Sequence, residues 1–83
     1  SEFEKRFAKL PLIIQKKADK QEAFFRRYPF YSSLNTEKLN PKHKEVWSFR
    51  VDKSYRVIFS FKDNNTAIFL TIGTHDWIYK IKF

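Results

Sequence analysis

From Val46 onward apolar residues recur at every second position, and two such runs, Val46 to Val51 and Tyr55 to Phe61, are separated only by Asp52, Lys53 and Ser54. Alternation of this kind marks a strand with one buried face, and two strands joined so tightly pair as an antiparallel hairpin. The register follows from the side chains. Trp47, Phe49 and Val51 share a face with Tyr55, Val57, Phe59 and Phe61 only if the turn holds an odd number of residues; an even turn would carry Arg56 and Ile58 to the core side. A three-residue turn sets Arg50 opposite Arg56, both on the face away from the core. Two guanidinium groups facing each other across a sheet repel, so the pairing points to an anion between them.

The alternation continues past Phe61. Asp63-Asn64-Asn65-Thr66 reads as a two-residue hairpin loop whose asparagines tolerate positive φ. The next strand, Ala67 to Gly73, is expected to pair Phe59 with Leu70 and Val57 with Ile72, which leaves one apolar face across three strands. The other face collects Ser48, Arg50, Arg56, Ser60, Thr71 and the only glycine, Gly73, beside Arg56. Glycine there permits a bend or the close approach of a ligand. Trp77 to Ile81 follows as a last strand or short helix carrying Tyr79, with Asp76 as the favoured cap of that turn. Trp47 and Trp77 read as core or rim.

The first third of the chain has a different period. Ser1 and Glu4 form a capping box, and Phe3, Phe7 and Leu10 follow at helical spacing. Pro11 ends that helix and opens a second. Ile14, Ala18, Gln21, Phe25 and Tyr28 make its apolar stripe, with Gln21 read as a rim residue, and Pro29 stops it. The two form a helical hairpin that must cover a sheet. Residues 29–45 lack periodicity and read as a connecting loop with a short helical turn, pinned to the core by Leu34 and Leu39.

An 83-residue chain is one small domain, close to the lower limit for a core that stabilises itself. Ten Phe, four Tyr and two Trp compensate, since each buries a large area. The absence of Cys removes disulfides and thiolate metal sites and fits a reducing, cytoplasmic compartment. No apolar run approaches the roughly 20 residues a membrane span requires, so no membrane association is expected. There is no Met, even at position 1, as in a chain that is processed or trimmed or has lost its natural start. Seventeen Lys and Arg against nine Asp and Glu give a formal charge of +8, which suits nucleic acid or an acidic partner.

Three stretches, Trp47-Ser-Phe-Arg50, Tyr55-Arg-Val-Ile-Phe59 and Ile72-Gly-Thr-His-Asp-Trp-Ile-Tyr79, resemble the RelE/ParE superfamily of toxins from type II toxin–antitoxin modules. They are most similar to its RelE, YoeB and YafQ branch of ribosome-dependent messenger RNA endonucleases. The resemblance covers nearly the whole chain and implies a single toxin domain over residues 1–83. Its fold would be α+β, with an N-terminal helical hairpin packed on one face of a small antiparallel sheet and RNA bound on the other. Family members begin with a strand before the first helix; that strand is missing from this sequence, which implies an unpaired sheet edge. The partners implied are a cognate antitoxin, messenger RNA and the ribosome.

Cleaving RNA through its own 2′-hydroxyl requires a base for that hydroxyl, an acid for the leaving 5′ oxygen, and cations around the phosphorane. No carboxylate cluster in the sequence suggests bound magnesium, so neither metal nor cofactor is expected. Arg56 and Arg50 suit the phosphate because each forks and can bond two oxygens. Arg56 matches the arginine of the Tyr-Arg strand motif in the RelE branch. His75 matches the Gly-Thr-His segment of the YafQ pattern, and histidine is the side chain whose ordinary pKa, about 6.5, lies nearest neutrality. Tyr79 would stack on a base or join the proton transfer. Lys53, with Lys42, His43 and Lys44, is the expected RNA-binding set. No general base is assigned, Glu45 being only a weak match to the glutamate of YoeB-like proteins. Two alternatives stay open: a ParE-like toxin that acts on DNA gyrase, and an inactive RNA-binding relative.

Overall fold

Ser1 accepts a hydrogen bond from the Glu4 amide while Glu4 reaches back to residue 1, and this capping box starts the first helix of a computed structural model that describes residues 1–39 and 45–80. Helix α1 spans Glu2–Ala8 and α2 spans Leu12–Arg27. Between them Pro11 occupies the N-cap of α2, where its missing amide is no loss. A single 3-10 turn at Ser32–Leu34 precedes β1 (Glu37–Lys38), β2 (Trp47–Arg50), β3 (Tyr55–Asp63) and β4 (Thr66–Thr74), and α3 (His75–Lys80) ends the described chain. The four strands are antiparallel in the order β1-β2-β3-β4. This is an α+β fold, with the helical hairpin on one face of the sheet.

The β2–β3 hairpin has the expected register. Arg50 pairs with Arg56 and Phe49 with Val57, leaving Asp52, Lys53 and Ser54 as a three-residue turn. Ile14, Ala18 and Phe25 of α2 meet Phe49, Val51, Val57, Phe59 and Ile72 in the main core, with Phe3 and Phe7 of α1 packed against it. Burying one such phenylalanine contributes about 1.5–3 kcal/mol. Gln21 is no rim residue. It is 9% exposed and donates to the carbonyls of Ser33 (3.0 Å) and Arg50 (2.8 Å), so one amide group joins α2, the 3-10 turn and the end of β2. Tyr28, by contrast, leaves the stripe: it is the extended C-cap of α2 and is exposed.

The β3–β4 pairing departs from regular alternation. Val57 faces Ile72, as expected, but Phe59 faces Phe69 rather than Leu70 because the register shifts between Ile58 and Phe59. The extra residue lets Phe69 join Phe25, Phe49 and Phe59 in the core while Leu70 packs on the other face. A simple alternation offers no such choice; a β-bulge does. The Asn64-Asn65 loop has its expected length, but neither residue takes a positive φ, and the Asp63 carboxylate instead accepts from the Asn65 amide.

The second face is not uniformly polar. Ser48, Ile58 and Thr71 lie side by side across β2, β3 and β4, all buried. Ile58 forms a second apolar cluster with Val46 and Ile78, flanked by Leu39, Leu70 and Trp77. So α3 covers the middle of this face, and Leu39 belongs to this cluster rather than to the main core. Arg50 and Arg56 stay at the margin, beside the Asp52 turn.

Candidate functional site

The Asp52 turn organises one end of the second face. Asp52 Oδ1 accepts from the amides of Ser54 (2.8 Å) and Tyr55 (2.9 Å), and Lys17 of α2 lies 3.5 Å from Oδ2. Burial alone would push this carboxyl up, but the two amides and then Lys17 outweigh it and hold its pKa below the ordinary value. A carboxylate whose folded pKa is depressed contributes stability above its unfolded pKa, about 3.9, and loses it as pH falls through the folded value. Asp52→Ala should therefore cost about 1–3 kcal/mol at pH 7. In urea titrations the gap from the parent protein should narrow below about pH 4; a gap that persists unchanged would refute the charge-assisted role.

Arg56 folds back over that turn. Its Nη1 donates to the carbonyls of Asp52 (2.7 Å) and Tyr55 (3.1 Å). These carbonyl dipoles give Arg56 acceptors within the protein itself, so the paired arginines do not by themselves demand a bound anion. Arg50 is exposed, and among the described residues its guanidinium has no partner. Lys53 is exposed in the same turn. Lys42, His43 and Lys44 lie outside the described residues.

His75 starts α3, and its amide donates to the Ser54 carbonyl at 2.7 Å, which ties the helix to the Asp52 turn. One helical turn on, Tyr79 places its ring 4.5 Å from the imidazole, centroid to centroid. Asp76 neither caps this helix nor holds the histidine. The hydroxyl of Thr74 accepts from the Trp77 amide, while Asp76 is 94% exposed with its carboxylate 3.7 Å from His75 Nδ1, beyond hydrogen-bond reach.

A fourth group comes from a strand that sequence periodicity did not show. Glu37 of β1 pairs with Ser48 of β2, and its carboxylate accepts from the Tyr79 hydroxyl at 2.8 Å. That bond raises the Tyr79 pKa, helped by burial and by the charge of Glu37; Arg56 pulls the other way, so the guanidinium acts on the same phenol. Glu37 has no local sequence signal: it sits in a two-residue strand and meets Tyr79 across 42 positions. Glu45, the earlier match for a base, instead pairs with Lys38.

Gly73 also has a different role from the one expected. A Cβ there would come within 2.4 Å of Trp77, so the bare backbone makes room for an indole of the protein itself and not for a ligand. A separate groove, lined by Glu22, Arg26, Phe61 and Asn65, lies beside the β3–β4 loop, at the other end of the hairpin.

Arg56, His75, Tyr79 and Glu37 thus come together from three strand or helix elements, beside Arg50 and Lys53. The arrangement combines cations for an anionic ligand with an imidazole, a phenol and a carboxylate able to exchange protons. It defines a small α+β domain with a helical hairpin on one face of the sheet and a cluster of basic and titratable side chains at the edge of the other. Residues 5–75 match the model of the RelE-like toxin of type II toxin-antitoxin system HigB. The chain belongs to that family and is a toxin of a type II toxin–antitoxin system, within the superfamily the sequence pointed to; the match does not assign it to the RelE, YoeB and YafQ branch. It ends at His75, short of Tyr79. No curated protein and no solved structure shows a significant match to this chain. Among the described residues no helix is long and apolar enough to cross a membrane.

Proposed function

We propose that residues 1–83 form a single cytoplasmic toxin domain that cleaves messenger RNA on the ribosome and is held in check by a cognate antitoxin. The observation that carries this reading is the convergence of Arg56, His75, Tyr79 and Glu37 in a protein of +8 charge. Arg56 and Arg50 hold the scissile phosphate and the charge that builds on it. The 2′ oxygen attacks phosphorus and loses its proton to a base, the bond to the 5′ oxygen breaks, and an acid returns a proton there, leaving a cyclic phosphate and a free 5′-hydroxyl. His75 serves as the acid, Glu37 as the base, and Lys53 as a contact to the RNA backbone. Tyr79, with its pKa raised, stays protonated at neutral pH and orients the carboxylate it donates to.

Purified ribosomes carrying messenger, mixed with the protein and mapped by primer extension, should show new ends. Messenger left intact, with growth arrested through DNA gyrase, would replace this reading by the ParE-like one. The role of Glu37 has its own test. Glu37→Gln should slow cleavage by about 10²- to 10⁴-fold and, by removing the largest cause of the shift, return the Tyr79 titration toward its ordinary value in phenolate absorbance. A normal titration with undiminished cleavage would leave Glu37 with a structural role only.

A further inference from the structure

Helix α3 carries two members of the cluster, and its six described residues, His75–Lys80, are fewer than the roughly 12–15 at which an isolated helix becomes even marginal in water. Its position is imposed from outside. Ile78 anchors one side against Val46 and Ile58. The other side is held by Trp77, whose ring lies so close over Gly73 that an added Cβ would stand 2.4 Å from Cε3 and 2.8 Å from Cζ3.

A residue from the opposite face of the sheet closes this contact. Helix α1 packs along β4 with Phe3 and Phe7 against the main core, and Arg6 reaches from it past the edge of β4. Its guanidinium carbon lies 3.8 Å from the Trp77 ring centroid, and its Nε donates to the Ile72 carbonyl at 2.9 Å. Only arginine can do both at once: its plane stacks on an indole while its edge donates to a carbonyl. Backbone, indole and guanidinium form one stack that runs from the strand below α3 to the first helix.

We propose that Arg6, Trp77 and Gly73 form a clamp that sets the position of α3, and with it the alignment of His75 and Tyr79 against Arg56 and Glu37. None of the three acts on the RNA; they are positioning residues for the nuclease reading given above, on which this inference rests. The effect is large because a catalytic group displaced by about 1 Å can lose 10²-fold in rate.

The test compares Gly73→Ala, Trp77→Phe and Arg6→Lys in the full chain, each read by messenger cleavage and by NMR. In the parent protein, Arg6 side-chain protons should be shifted upfield by the Trp77 ring, and His75 ring protons by Tyr79. Gly73→Ala should abolish both shifts and slow cleavage about 10²-fold while a cooperative melt persists. Arg6→Lys keeps the cation and loses the planar fork, so a smaller loss is expected, roughly two- to fivefold, as for a weakened cation–π contact at a partly exposed site. If Gly73→Ala does not fold, Trp77→Phe and Arg6→Lys decide. Unchanged His75 signals in the variants would overturn the clamp, as would displaced signals with undiminished cleavage. Should the parent protein cut no messenger, the nuclease reading fails by itself, and the NMR shifts alone still decide whether the clamp holds α3.

Discussion

His75→Ala should slow messenger cleavage by about 10²- to 10⁴-fold, the range for losing a general acid, with little loss of RNA or ribosome affinity. The fold should survive, because the contact that secures the start of α3 is made by the residue 75 amide to Ser54 and not by the imidazole. Arg56→Ala provides the contrast. It removes a phosphate ligand, so both rate and binding should fall, and the salt dependence of binding should become shallower. It also strips two hydrogen bonds from the Asp52 turn, so a stability loss of about 0.5–1.5 kcal/mol per bond is expected as well. Single-turnover cleavage and binding measured across a salt series would separate the two. Equal losses of binding in both variants would mean that His75 holds RNA and transfers no proton; a fully toxic His75→Ala with messenger intact would remove the nuclease reading.

Phe25→Ala should have the largest effect on stability, about 3–5 kcal/mol. The ring stacks on Phe49 at 4.9 Å and meets Phe59 edge-on at 4.8 Å, and it is 6% exposed. It joins α2 to three strands of the sheet, through Phe49, Phe59 and Phe69. Each such aromatic pair adds about 0.5–1.5 kcal/mol beyond area burial. At typical densities of stability a chain of this length has roughly 4–12 kcal/mol in total, so the variant should lose about a quarter or more of its stability. Phe25→Leu, which retains most of the apolar volume, should remain folded. Chemical denaturation of both proteins checks this, and a loss below about 1 kcal/mol for Phe25→Ala would mean that the hairpin does not pack on the sheet through this ring.

Local pattern carried the parts of the structure whose causes are local. Ser1 with Glu4, Pro11, and the spacing of Ile14, Ala18 and Phe25 place the two helices, because a helix end and a helix face depend on neighbours within a few residues. The strict alternation through Asp52 determined the β2–β3 register, since a slip of one residue would have exchanged core for solvent. From that register came Arg50 opposite Arg56, and Gly73 beside Arg56. The family resemblance, not periodicity, singled out His75 and Tyr79.

What depended on distant partners was not legible. Gln21 looked like a flaw in an apolar stripe because its two carbonyl acceptors lie 12 and 29 residues away. The bulge at Leu70 arises because two faces compete for side chains: Phe69 fills the main core and Leu70 the second cluster. Two-residue β1 has too few residues to show a period, so Glu37 could not be seen until the sheet brought it to Tyr79. Gly73, Trp77 and Arg6 were each visible in the sequence, but their meeting was not. By itself the sequence determined the helical hairpin, the alternating sheet and the face on which its arginines lie, because those follow from periodicity and short-range sterics. Only the tertiary structure decided which carboxylate meets the tyrosine and what holds the histidine in place, because those contacts exist only once segments far apart in the chain are packed together.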